Sequence, residues 1–206
     1  MKPRLLVIAG PNGSGKTSIT EQLHDLKHRW MLGCHYINPD QIAKTQFGDW
    51  NNDVAVLQAA QLAERQRYAC LEKGEDFAFE TVFSTQDKLD FLRKAKARGY
   101  FIRFFFVGTE SPMINIERVA LRVLKGGHTV AIPKIIERYS RSMINAAEAA
   151  TFVDRAYFYD NSITLSEGTI PTWTPLFRTV EGALCPKYSY PTQLWAKQIY
   201  QALSPA

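Results

Sequence analysis

The stretch Arg4–Thr17, RLLVIAGPNGSGKT, decides the fold. Its first half is an apolar run of strand length. Gly10-Pro11-Asn12-Gly13-Ser14-Gly15-Lys16-Thr17 follows at once and satisfies G-x-x-x-x-G-K-[ST] at every fixed position. The pattern gains meaning from its flanks, a buried strand before it and a helical run, KTSITEQLHDL, after it. Glycines let backbone N–H groups turn inward around phosphate oxygens. The helix beginning near Lys16 adds its positive N-terminal end, Lys16 reaches the outer phosphates, and the Thr17 hydroxyl is placed for Mg²⁺. Gly10, Pro11, Asn12, Gly13, Ser14, Gly15, Lys16, Thr17 and Ser18 are therefore the expected nucleotide-binding residues, with Lys16 also catalytic and Thr17 the metal contact. The competing reading, a glycine-rich turn without a ligand, is disfavoured because motif and context occur together.

Outward from this loop, apolar strands and helical stretches alternate. CHYIN, DFAFET, YFIRFFFVG and RAYFYDN read as strands, with LFRTVEG as a last one. DVAVLQAAQLAERQRYACLEKG reads as a long helix stopping at Gly74, QDKLDFLRKAKARG as a second closed by Gly99, and PMINIERVALRVLK and PKIIERYSRSMINAAEAA as two more split by GGHTVAI. PTQLWAKQIYQAL ends the chain as a helix. Such alternation predicts a mainly parallel sheet of five or slightly more strands between two helical layers, a P-loop NTPase-type α/β/α fold. Residues 1–206 are expected to form a single kinase-like domain, with 112–146 as a helical lid. Sheets of this kind bind ligands beyond the carboxyl ends of their strands. GPNGSGKT, NPDQ, ETVFST and DNS fall at those ends.

Composition narrows the classes. The chain has 206 residues, 46% hydrophobic and 22% charged, and a formal charge of +5. No apolar run reaches the roughly 20 residues of a membrane span, and RLLVIAG is too short for a signal peptide. Cys34, Cys70 and Cys185 lie far apart in no ligand spacing, which reads as reduced thiols in a cytoplasmic protein. His24 and His28 share a helix face without a third ligand nearby, so a solvated face is the reading there. The basic residues form no long block and match no nucleic-acid motif. The positive balance is accordingly assigned to an anionic small substrate, not to nucleic acid.

Three groups of residues could carry chemistry. Asp40 follows the second strand and Pro39. It is either the cap of the helix starting QIAKTQ, a metal ligand, or the carboxylate that takes the proton from an acceptor hydroxyl. Glu80, Thr81, Ser84 and Thr85 in FETVFST could bind a polyol acceptor. Ser84 or Thr85 is also expected to cap the helix QDKLDF, and Glu80 needs a partner because it closes an apolar strand. No apolar run ending in Asp gives an ordinary Walker B strand. The second metal contact is Glu80, Asp40 or water, and Asp160 ends a strand farther away. Arg118 and Arg122 share one helix face, with Arg138 and Arg141 on the next helix. At least one of them is expected at the phosphates, because phosphoryl transfer needs cationic charge there. Asn161 and Ser162 fall where a nucleotide base could lie, and His128 in the intervening loop is a weaker candidate.

Taken in order, GPNGSGKTS, INPDQIA, FETVFST, GYFIRFFFVGT, RVALRVLKGGHTV and RYSRS resemble the zeta toxin family of P-loop kinases, most closely its compact Gram-negative branch, over roughly Leu5 to Asn161. The resemblance implies phosphorylation of the sugar hydroxyl of UDP-N-acetylglucosamine with ATP or GTP and Mg²⁺, and an antitoxin partner that obstructs the nucleotide site. It implies that Asp40 activates the acceptor, that Glu80 and Thr81 belong to the substrate segment, and that Arg118 contacts phosphate. The second lid arginine of the larger toxins has no match in HTVAIP, leaving Arg122, Arg138 or Arg141 for that role, and Ala131 stands where the branch carries proline. Two other functions stay open: a kinase of another metabolite or nucleotide, and a nucleotide-binding or ATPase module acting through a partner protein.

Overall fold

A computed structural model of the chain describes residues 2–25, 28–48, 52–127, 129–163, 173–185 and 190–204. The glycine loop joins β1 (Arg4–Ala9) to α1 (Lys16–Asp25). There follow β2 (His35–Ile37), α2 (Pro39–Gln46), α3 (Asp53–Lys73), β3 (Phe77–Thr81), α4 (Gln86–Ala97) and β4 (Phe101–Gly108). Next come α5 (Pro112–Leu124), α6 (Ile132–Ala150), β5 (Arg155–Asp160), β6 (Thr174–Val180), β7 (Ala183–Leu184) and α7 (Leu194–Leu203). The strands form one sheet of seven in the order β2-β3-β1-β4-β5-β6-β7. β1 to β5 run parallel, while β6 and β7 add on antiparallel.

The central strands are buried on both faces, which is why they read as unbroken apolar runs. In β1, Val7, Ile8 and Ala9 have no exposed surface, and the same is true of Phe104, Phe106 and Val107 in β4. One face packs Val7, Phe79, Phe104, Phe106 and Phe158 against α3, α4, α6 and α7. The other packs Ile8, Phe105, Val107 and Tyr157 against Ile19 and Leu23 of α1 and against Trp30 and Met31. The described structure thus matches the expected mainly parallel three-layer sheet. It adds β7, which no apolar pattern announces in two residues, and it starts β6 earlier than LFRTVEG, at Thr174.

Local chemistry sets the helix ends. Asn52 caps α3 by accepting from Val54 and Ala55 N–H, and Gly74 ends that helix in the left-handed conformation, φ 69°. Ser111 caps α5 ahead of Pro112. Two expectations are corrected here. Asn38, not Asp40, caps α2: its side-chain oxygen accepts from Asp40 and Gln41 N–H. Thr85 occupies the N-cap position of α4, but no side chain makes a cap hydrogen bond there.

Candidate active site

The parallel strands deliver their carboxyl ends to one edge of the sheet, so the loops after β1, β2, β3 and β5 converge. The glycine loop is held from behind by two asparagines. Asn161, just past β5, donates from Nδ2 to the Ser14 carbonyl at 2.9 Å. Asn115 of α5, fully buried, donates from Nδ2 to the Asn12 carbonyl at 2.5 Å. Asn115 is fixed in turn by the Thr109 hydroxyl, and Thr109 accepts from Tyr139 Oη of α6 at its carbonyl, 2.6 Å. Within the loop, Ser14 N–H donates to the Pro11 carbonyl at 3.2 Å. Gly15 has φ +97°, and a Cβ there would stand 2.3 Å from Asn161 Nδ2, so only glycine fits.

Lys16 folds back over the loop, its Nζ donating to the carbonyls of Gly10 (2.8 Å) and Pro11 (3.0 Å). Burial lowers its pKa from 10.5 to about 8. Glu80 and Asp40 oppose that shift, while Arg122 and Arg138 deepen it. One lysine therefore feels two carboxylates and two guanidinium groups at once. Next to it, Thr17 donates to Glu80 Oε2 at 3.0 Å. Glu80 is only 7% exposed, and its other oxygen accepts from Tyr36 Oη at 2.5 Å. Hence Glu80, at the end of the strand beside β1, is the carboxylate nearest the loop hydroxyl. Asp160 serves elsewhere: it accepts from Ser162 Oγ (2.7 Å) and from Trp195 Nε1 of α7 (3.1 Å).

Asp40 lies in the first turn of α2, exposed, and its carboxylate accepts no hydrogen bond from a described side chain. It opens onto a cleft of about 880 Å³ shared with Lys16, Thr17, Ser18, Arg118 and Arg122. The floor of that cleft continues between α1 and α2, past His24 and Lys44.

The four arginines separate. Arg122 lines the cleft. Arg138 approaches the loop, 3.5 Å from Asn12 Oδ1. Arg118 also borders the cleft, but its guanidinium donates to the carbonyls of Asn161 (2.7 Å) and Ile163 (3.1 Å). Burial lowers its pKa, and Asp160 and Glu117 oppose that. Arg141 points outward and pairs with Glu137 at 2.9 Å. Of the remaining expected residues, Thr81 spends its hydroxyl on Phe83 N–H at 3.0 Å. The Ser84–Thr85 turn is pinned by Asn145 of α6, which donates to the Phe83 and Thr85 carbonyls. Thr81, Ser84 and Thr85 do not line the cleft. His128 lies outside the described residues. Sequence reading passed over Asn115, Thr109, Tyr139, Tyr36 and Asn38. Asn115 and Tyr36 belong to none of the quoted motifs, and Asn38, Thr109 and Tyr139 stand in INPDQIA, GYFIRFFFVGT and RYSRS without a chemical role there; the fold alone brings them together around the loop.

A β1–loop–α1 unit in a sheet of order β2-β3-β1-β4-β5, with a carboxylate on the neighbouring strand, defines a nucleotide-binding fold of the P-loop kinase type. The model of the zeta toxin family matches residues 1–169, and the chain belongs to that family. An uncharacterised protein of Haemophilus influenzae is 25% identical over 139 residues, 68% of this chain and 94% of its own length. Among solved structures, that of the PezAT chromosomal toxin-antitoxin system of Streptococcus pneumoniae is similar with a TM-score of 0.55 at 14% identity, covering 83% of this chain and 75% of that one. The AvrRxo1-ORF1:-ORF2 complex with ATP is similar with a TM-score of 0.55 at 14% identity, covering 98% of this chain and 64% of that one. At these identities the structural likeness concerns the fold. No helix among the described residues is long and apolar enough to cross a membrane.

Proposed function

We propose that the protein is a zeta-type kinase that transfers the γ-phosphate of ATP or GTP to a hydroxyl of a UDP-activated amino sugar resembling UDP-N-acetylglucosamine. One observation carries the reading: a lysine clasped to the phosphate loop and an uncommitted carboxylate, Asp40, share one cleft with Arg122. The ATP-bound complex among the structural relatives supports ATP as donor. The two toxin-antitoxin and paired-chain relatives support a protein partner acting as antitoxin.

In this reading the loop amides and Lys16 hold the triphosphate. Lys16, released from the Gly10 and Pro11 carbonyls, follows the outer phosphates. Asp40 accepts the proton of the attacking hydroxyl and orients its oxygen toward the γ-phosphorus. Arg122 and Arg138 stand by the transferring group. Arg118 supports the base-side loop through the Asn161 and Ile163 carbonyls and borders the same cleft, so its contribution to phosphate is through position and field together. Asn161 anchors the loop through the Ser14 carbonyl. For a divalent cation the oxygen set fits: the Thr17 hydroxyl and the buried Glu80 carboxylate stand together, with no cationic side chain among the described residues hydrogen-bonded to that carboxylate, and Mg²⁺ takes one or two such ligands besides phosphate and water. Bound there, Mg²⁺ would neutralise charge on the phosphates. Residues 112–146 are read as the lid, and the whole chain as one kinase domain.

A second reading of the acceptor has its own observation. Thr81, Ser84 and Thr85 are outside the cleft, which runs instead between α1 and α2. That favours an acceptor other than the sugar nucleotide, a different metabolite or a nucleotide. Incubation with labelled ATP and a panel of UDP-sugars tests the first reading. Transfer to one of them supports it. Intact ATP binding without transfer to any UDP-sugar refutes it, and a labelled product from cell extract then supports the second. No labelled product in either case leaves the protein a nucleotide-binding module.

A further inference from the structure

Tyr36 and Asn38, on either side of Ile37 at the end of β2, join the two halves of the site. Thr17 Oγ1 donates to Glu80 Oε2 at 3.0 Å. Tyr36 Oη donates to Glu80 Oε1 at 2.5 Å and accepts from Asn38 Nδ2 at 2.9 Å. The other end of the same Asn38 amide, Oδ1, accepts from Asp40 N–H at 2.9 Å and Gln41 N–H at 3.3 Å. A single chain of hydrogen bonds therefore runs from the last residue of the phosphate loop to the first turn of the helix that carries Asp40. Every polar atom along it has a partner.

The chemistry of each link makes the chain directional. Glu80 is an acceptor with two oxygens, one facing the loop hydroxyl and one facing the phenol. The Tyr36 hydroxyl has one proton, which it gives to Glu80, and an oxygen that accepts from Asn38. Fixing Oε1 fixes the plane of the carboxylate and hence the aim of Oε2. Asn38 cannot turn its amide without losing either the Tyr36 contact or the cap of α2. A cap of this kind contributes about 1 kcal/mol to its helix.

We propose that Tyr36 is a positioning residue that couples occupancy of the cation–nucleotide site at Thr17 and Glu80 to the first turn of α2. The inference rests on the nucleotide-dependent reading above and adds a link between donor and acceptor sides that this reading does not contain. Coupling of this sort is reciprocal: whatever orders α2 also tightens the cation site. The aromatic ring of Tyr36 has a separate packing role, edge-on to His24 with centroids 5.3 Å apart. Tyr36→Phe keeps that ring and removes only the hydroxyl. Asn38→Ser keeps a capping oxygen and removes only the amide donor.

Hydrogen exchange measured by mass spectrometry decides the matter, with a non-hydrolysable ATP analogue added in Mg²⁺ or in EDTA. In the wild type, Mg²⁺ with the analogue slows exchange across residues 39–46 at least threefold more than the analogue in EDTA. In Tyr36→Phe and Asn38→Ser that extra slowing is lost, while protection of the phosphate loop persists. The Mg²⁺-dependent gain in analogue affinity, read by calorimetry, falls at least threefold in both. If the wild type shows no extra slowing at residues 39–46, or if the variants retain it, the proposal is overturned. Should Tyr36→Phe fail to fold, Asn38→Ser alone decides. Failure of the wild type to bind the analogue with Mg²⁺ overturns the nucleotide reading as well, whereas binding without slowing overturns the coupling only.

Discussion

Asn161 and Gly15 are matched: the asparagine amide that anchors the Ser14 carbonyl occupies the space a Cβ on Gly15 would need, 2.3 Å from that position. Gly15→Ala must therefore displace the anchor as well as strain a backbone at φ +97°. We expect ATP-induced thermal stabilisation to vanish in this variant. Gly74→Ala is the control, because that glycine has a left-handed φ but nothing within 4 Å of an added Cβ. It should cost about 1 kcal/mol and leave the ATP response intact. Differential scanning fluorimetry with and without nucleotide reads both.

Asp40→Asn keeps the shape and removes the proton acceptor. Because Asn38 provides the cap of α2, the helix should survive the change. Transfer to the acceptor should fall roughly 100- to 10,000-fold, with ATP affinity within about twofold of wild type by calorimetry, a margin far below the tenfold that 1.4 kcal/mol represents. Loss of both together would make Asp40 a metal ligand. In cells, induced wild type and Asp40→Ala should differ in growth if the chemistry is toxic, and equal growth would exclude toxicity through this residue.

Lys16 sets a pH dependence. Its folded pKa of about 8 lies below the ordinary 10.5. Below about 8 the charged lysine is already present for phosphate. Above it, binding must also take up a proton, so nucleotide affinity should fall as pH rises from 7 to 9.5. Stability runs the other way. The unfolded chain holds the proton up to 10.5, so the folded state gains stability between about 8 and 10.5 as pH rises. At pH 7 Lys16→Met should melt about 3 °C higher than wild type, roughly 1 kcal/mol for a chain of this size. That gap should close toward pH 10.

Arginine substitutions should sort by position. Arg122→Ala and Arg138→Ala should each lower kcat roughly 100-fold, with a smaller effect on ATP binding. Arg141→Ala should change kcat less than twofold, because its partner is Glu137 on the outer face of α6 and such exposed pairs contribute about 0–1 kcal/mol. Steady-state kinetics on the best acceptor separates them. A large Arg141 effect would refute the assignment.

Much of this architecture is legible in the chain. Val7 and Phe104 lie in runs that only strands buried on both faces carry, and Lys16 and Thr17 belong to a motif whose spacing is dictated by phosphate geometry. Glu80 at the end of β3 was readable as a carboxylate needing a partner, and the partners are Thr17 and Tyr36. What the chain conceals is contact between distant segments. Asn115 reads as an ordinary helix residue until α5 lays it against Asn12. Asn38 holds the cap of α2 because Pro39 occupies the first helical position, two residues earlier than a cap at Asp40 would allow. The Thr85 and Thr81 hydroxyls looked ready for a ligand, yet the turn around Phe83, at φ 61°, uses Thr81 for itself.

Trp195 of α7 covers Gly108 so closely that a Cβ there would meet its ring at 2.5 Å, and it donates to Asp160 at the end of β5. The family match stops at residue 169, well short of that tryptophan. A chain shortened to residue 169 would retain every motif of the nucleotide site without the Trp195 contact that rests on β4 and β5 beneath it.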